Sequence, residues 1–184
     1  MLFINYGQHS KHAATGVRAC TLIALALMSA CTSAPEGVHP VGGFELERYL
    51  GTWYEIARLD HSFERGLSQV TAQYSLREDG GVTVLNRGYD AKKGEWRSAE
   101  GKAFFMADPD VGHLKVSFFG PFYGAYVVVE LDPDYRYALV SGPDRGYLWI
   151  LARSPDLPQA DIDRLVAHAA GLEFPIEELI FVTH

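Results

Sequence analysis

The chain has 184 residues, 16 Lys plus Arg against 23 Asp plus Glu for a formal charge of -7, and 48% hydrophobic and 12% aromatic residues. This composition belongs to a folded domain rather than a disordered segment. With no basic stripe, it excludes sequence-independent nucleic-acid binding, which needs clustered Lys and Arg to replace counterions on phosphates.

Residues 1–18 carry Lys11 and Arg18 but no acid, and residues 19–28 (ACTLIALALM) form an apolar run too short to cross a bilayer as a stable helix. The pattern reads as a secretory signal. It ends in Met28-Ser29-Ala30-Cys31, which resembles the lipobox of bacterial lipoproteins with Met28 where Leu is usual. The resemblance implies cleavage before Cys31 and acylation of Cys31, and Thr32 in the next position, rather than Asp, implies sorting to the outer membrane. Loss of residues 1–30 removes two basic and no acidic residues, leaving 14 against 23 and a formal charge of -9. Attachment to an anionic membrane must then rest on lipid and not on charge. Cys20 lies in the signal and Cys31 is the acylation position, so the mature chain is expected to have no disulfide and to be stable by core burial alone.

Residues 31–43, rich in Pro, Gly and Ser, read as the acylated tether, and residues 44–184 as the domain. A short helical piece is expected at Glu45–Tyr49. Turn signals such as Glu78-Asp79-Gly80-Gly81, Lys92-Lys93-Gly94 and Asp132-Pro133-Asp134 recur every eight to twelve residues. Between them lie strand-type runs at 52–60, 69–77, 82–89, 96–105, 113–119, 122–131, 136–141 and 147–153. Alternation, as in Val70, Ala72, Tyr74 and Leu76, gives each strand one buried and one wet face. The expected fold is all-β, eight sequential antiparallel strands closed into an up-and-down barrel, which removes exposed edges and leaves room for one small ligand. Ile162, Leu165, Val166 and Ala169 give Pro158–Ala170 an apolar stripe, so one C-terminal helix should pack outside the barrel. Leu179–Val182 can return as a short strand.

Gly51-Thr52-Trp53-Tyr54 at the first strand, Asp134-Tyr135 before the seventh and Arg153 after the eighth resemble, in order and spacing, the three signature regions of the lipocalins. The runs GTWYEIARLDHSFERGL (51–67), KVSFFGPFYG (115–124) and YLWILARSP (147–155) are similar to the bacterial members of that family. The resemblance covers residues 44–184 and makes Gly51, Trp53, Asp134, Tyr135 and Arg153 structural signature residues, with Arg153 stacked on Trp53 at the closed end. Glu130 departs from it, standing where an aliphatic or small residue is expected.

Alternation, together with where lipocalin ligands lie, makes Ala57, Tyr74, Val84, Phe118, Tyr126, Val140, Tyr147 and Trp149 the ligand-binding set. If Trp53 faces inward Glu55 should too, as a satisfied structural carboxylate ahead of a ligand-reading one. The seven histidines form no metal-type cluster, so no metal and no cofactor are expected, and His61 and His113 read as loop residues. No G-x-S-x-G, phosphate loop or dinucleotide fingerprint is present, so no enzymatic activity is expected. The resemblance implies a lipid-binding carrier, anchored to the outer membrane and facing the periplasm, whose partner is a fatty acid or lysophospholipid. A homodimer through Phe119–Tyr123 is compatible with it. The competing readings are a structural envelope lipoprotein with a filled barrel and a lipid-modifying enzyme on the same fold.

Overall fold

The computed structural model describes residues 32–184; the signal expected in residues 1–30 and the acylation expected at Cys31 lie outside the described residues. Helix α1 (Leu46–Tyr49) leads into β1 (Gly51–Arg58), β2 (Leu67–Leu76), β3 (Val82–Asp90) and β4 (Glu95–Phe105). There follow β5 (His113–Phe119), β6 (Phe122–Leu131), β7 (Tyr137–Ser141) and β8 (Leu148–Ala152), then α2 (Gln159–Gly171) and β9 (Ile180–Phe181). The eight long strands fall within two residues of the bounds read from turn spacing. Each pairs antiparallel with the next, and β1 pairs with both β2 and β8, so the ladder closes into a barrel.

Two apolar layers result. Inside the barrel lie Trp53, Tyr74, Val84, Val140 and Leu151. Outside, Leu165 and Ala169 of α2, with Phe174 beyond it, cover Ile56, Val127, Leu139 and Ile150. Leu165 is fully buried, worth about 1.5 to 3 kcal/mol relative to solvent.

Of the register shifts in the ladder, those in β1 and β6 decide where residues singled out in the sequence point. In β1, Glu55 pairs with Leu151 but Ala57 with Ile150, so Ile56 is an extra residue on that strand. The bulge turns Ala57 out of the expected ligand set and into the layer beneath α2. In β6, Val128 pairs with Val140 and Glu130 with Leu139, which leaves Val129 as the extra residue. Glu130 is thereby aimed outward, where its carboxylate accepts from Arg164 and from His168 Nδ1 of α2. An acid at this position therefore clamps the helix to the barrel and leaves the interior undisturbed.

The signature residues converge at one end. Trp53 is fully buried, and its indole Nε1 donates to the Tyr49 carbonyl at 2.8 Å. The Arg153 guanidinium lies 4.0 Å from the Trp53 ring and donates to the carbonyls of Thr52 (2.9 Å), Arg48 (2.6 Å) and Tyr135 (3.3 Å). Gly51 has φ +94°, a region L side chains avoid, and a Cβ there would stand 3.4 Å from Arg153 Nη1. The Tyr135 hydroxyl accepts from the Glu45 amide at 2.8 Å, while Asp134 donates its own amide to Asp132 Oδ2 at 3.0 Å.

This plug should carry much of the stability. Trp53→Ala is expected to cost about 3 to 5 kcal/mol in urea denaturation, as an aromatic truncation in a packed core. Arg153→Ala should combine with it non-additively because the two side chains touch, and a double-mutant cycle without coupling would contradict the stacking.

Candidate functional site

The other half of the barrel is hollow. An inner cavity of about 250 Å³ is lined by Tyr74, Val84, Val116, Phe118, Tyr126, Val140, Tyr147, Trp149 and Leu151 among others. A second cavity of about 420 Å³ adjoins it toward the mouth, between Phe63, Leu67, Arg97, Phe118, Phe119 and Phe122. Beside it, β4 pairs with β5 only from Lys102 to Phe105, and Arg97, Ser98 and Ala99 of β4 line the cavity. Seven of the eight residues in the expected ligand set face the inner cavity, Ala57 being the exception explained above.

The inner end is a chain of tyrosine hydroxyls. Tyr126 Oη lies 2.7 Å from Tyr49 Oη and 2.8 Å from Tyr74 Oη, and burial raises the ionisation of all three far out of the neutral range. These hydroxyls therefore remain neutral hydrogen-bonding groups.

The wall nearer the mouth holds a buried polar cluster that the sequence reading only half found. Glu55 faces inward as expected, and its Oε1 accepts from Arg58 Nη1 at 2.6 Å, with both side chains almost wholly buried. Residues three apart on a regular strand face opposite ways; the Ile56 bulge puts this pair on one side. Arg58 Nη2 donates to the Glu64 carbonyl at 3.0 Å, which draws the β1–β2 loop over the barrel. Glu64 is only 6% exposed, lines both cavities, and accepts from Trp149 Nε1 at 3.2 Å through Oε2. His61, expected as a plain loop residue, is buried and stacked between Phe63 (5.3 Å) and Tyr147 (4.9 Å). Asn86 Oδ1, buried without a hydrogen-bond partner, belongs to a residue lining both cavities.

Nothing in the sequence singles out Glu64 or His61, because both sit in the polar turn DHSFERG. The Glu55–Arg58 spacing reads as a pair only once the bulge is known.

Two acids share one buried guanidinium, and their protonation follows. Burial first, and then the nearby Glu64, push Glu55 up to about 8 against the pull of Arg58. Burial likewise raises Glu64, while the Trp149 hydrogen bond and Arg58 oppose it. His61 moves the other way, down to about 4, because burial and then Arg58 disfavour its cation.

These shifts give a pH signature. Glu55 binds its proton more tightly folded than unfolded, so its stabilisation is complete below about 4.5 and is lost as pH rises toward 8. His61 acts in reverse, destabilising the fold below about 6.5 and contributing nothing above it. Between pH 6.5 and 8.5 chemical-denaturation stability should therefore fall in the wild type, and Glu55→Gln should flatten that slope. An unchanged slope in the variant would place the titrating group elsewhere.

Comparison with known proteins agrees with this architecture. The family model described as a lipocalin-like domain matches residues 44–184. Outer membrane lipoprotein Blc of Vibrio cholerae is 57% identical over 157 residues, covering 85% of this chain and 92% of that protein. Outer membrane lipoprotein Blc of Escherichia coli K12 is 54% identical over 158 residues, covering 85% and 89%. Among solved structures, insecticyanin from the tobacco hornworm Manduca sexta shares the fold at TM-score 0.66 and 21% identity, over 83% of this chain and 86% of that one.

Proposed function

The chain belongs to the lipocalin family, and on that premise we propose that it is a lipid-anchored carrier of the bacterial outer membrane, facing the periplasm, that holds a fatty acid or lysophospholipid in its barrel. The observation that carries this reading is the hollow, aromatic-walled interior of a barrel whose other end is plugged. The role is binding and not turnover. The high identity to proteins named outer membrane lipoproteins supports the location, as does the signal ending in Cys31. The exposed Phe119 and Phe122 at the mouth make a homodimer contact part of the same reading.

An acyl chain of about 14 to 18 carbons gains roughly 0.8 kcal/mol per buried CH₂, or about 11 to 14 kcal/mol gross. Association and ordering cost an estimated 4 to 15 kcal/mol, so affinity of about micromolar strength is expected. Trp149 lines the inner cavity, so its fluorescence should report titration of the delipidated protein. Ala72→Trp fills that cavity from the β2 wall and should weaken binding at least about tenfold while leaving the fold intact. Equal binding by Ala72→Trp would place the ligand outside the barrel.

The anchor has its own test. Cys31→Ala is expected to leave the precursor uncleaved or mislocalised, and the wild-type peptide beginning at Cys31 should carry acyl mass. Wild-type protein in the soluble periplasmic fraction with a free thiol would refute the anchor.

A further inference from the structure

The β1–β2 loop brings to the cavities a carboxylate only one of whose oxygens is engaged by the protein. Glu64 Oε2 is held by the Trp149 indole, but no donor among the described residues reaches its Oε1, although the side chain is nine-tenths buried. The only buried cation of the cluster, Arg58, gives its Nη1 to Glu55 and its Nη2 to backbone carbonyls, and its Nε has no partner among the described residues. Glu64 lines both cavities, so this second oxygen is open to whatever occupies them. Around it stand Phe63, Tyr147 and Trp149, all lining the inner cavity, with the orphaned Asn86 Oδ1 on the facing strand.

Aromatic walls with one carboxylate among them are the chemistry that recognises ammonium groups. Ring faces attract a cation that is too bulky or too alkylated to be bound by hydrogen bonds alone, and the carboxylate supplies the counter-charge. The same surroundings repel an anionic head. The positive groups at the outer cavity do not reverse this, because Arg97 faces Asp90 and Arg87 lies over the Trp96 ring, 4.5 Å from its centroid.

We propose that Glu64, with Phe63, Tyr147 and Trp149, forms a subsite for the positively charged nitrogen of an amphiphile whose chain occupies the inner cavity. The barrel thereby selects cationic-nitrogen head groups over carboxylate head groups. This rests on the barrel-binding reading and narrows its ligand class. Glu64 is a specificity-determining residue: the chain supplies the affinity and the carboxylate discriminates between heads. Ligand binding favours the ionised carboxylate that burial otherwise disfavours, so a bound cation and the deprotonated Glu64 stabilise one another.

The test uses amphiphiles of one chain length and fixed charge, dodecyltrimethylammonium and dodecyl sulfate below their micelle concentrations and 1-dodecanol below its solubility limit. None titrates near neutrality, so any change with pH belongs to the protein. At pH 8, where His61 is neutral, the groups able to contribute charge around the site are Glu64 itself, Glu55, Arg58, Asp60, Arg65, Arg87, Arg97 and Asp144. Delipidated wild type should bind the ammonium probe about tenfold more tightly than dodecanol, and dodecyl sulfate more weakly than dodecanol. Glu64→Gln keeps an acceptor for Trp149 and removes the charge, and should bring the affinities for the three probes to within about threefold of one another. Wild type that binds dodecanol but shows no preference for the ammonium probe overturns the subsite, as does a preference that survives in Glu64→Gln. Failure of wild type to bind dodecanol at all would instead overturn the barrel-binding reading on which the subsite rests. The wild-type comparison stands by itself should the variant fold poorly.

Discussion

Strand β1 has to satisfy three neighbours with eight residues. Gly51 to Tyr54 pair with β2, Tyr54 to Arg58 with β8, and Ala57 and Arg58 also with β9. A flat strand of that length cannot serve all three, because the hydrogen-bonding directions diverge as the sheet curls. The extra residue Ile56 lets β1 lean away from β2 toward β8, and the C-terminal segment closes the gap that opens. There the Val182 amide donates to the Ile56 carbonyl, and the Gln69 amide to Thr183. Barrel closure without an exposed edge therefore depends on one bulge, and that bulge also brings Glu55 and Arg58 to the same side.

The two ends of the barrel spend their polar groups differently. At the plugged end Arg153 is fully engaged, donating to three carbonyls while its flat face covers Trp53. Such a network is rigid because every member is satisfied. Toward the mouth, Arg58 Nε, His61 Nε2 and Asn86 Oδ1 are buried without partners among the described residues. One guanidinium stands near two carboxyls there, and buried charges of this kind commonly add no stability over well-packed hydrophobic residues of similar volume. Incomplete satisfaction beside a cavity is where stability yields to recognition.

Outside the barrel the same economy of position appears in Glu130. On an unbroken β6 it would alternate with Val128 into the apolar interior. Turned outward by the second bulge, it meets Arg164 and His168 one helical turn apart on α2. The apolar stripe of α2 supplies the burial, and the ion pairs set its position along the barrel.

Much of this molecule was legible before any coordinates. Turn residues at regular intervals and period-two apolar patterns located eight strands, the i, i+3, i+4, i+7 stripe located α2, and Gly51, Trp53, Tyr135 and Arg153 could be recognised as parts of one plug. These signals are local, or rest on residue types that only one geometry accommodates, such as a glycine at φ +94°. What the sequence could not disclose is where alternation breaks. A bulge leaves no mark of its own in composition, because it is set by the angle at which β1 must meet β8 and β6 must meet β7. A single inserted residue moves every following side chain to the other face. Ala57 thus left the cavity, Arg58 entered the interior, and Glu130, whose direction the sequence left open, turned outward. Glu64, which no sequence pattern singled out, became part of the cavity wall because Arg58 holds its carbonyl, and His61, read as a loop residue, became buried because aromatic rings enclose it. Periodicity decided the barrel, but only the closing of its strands decided which polar side chains face what it carries.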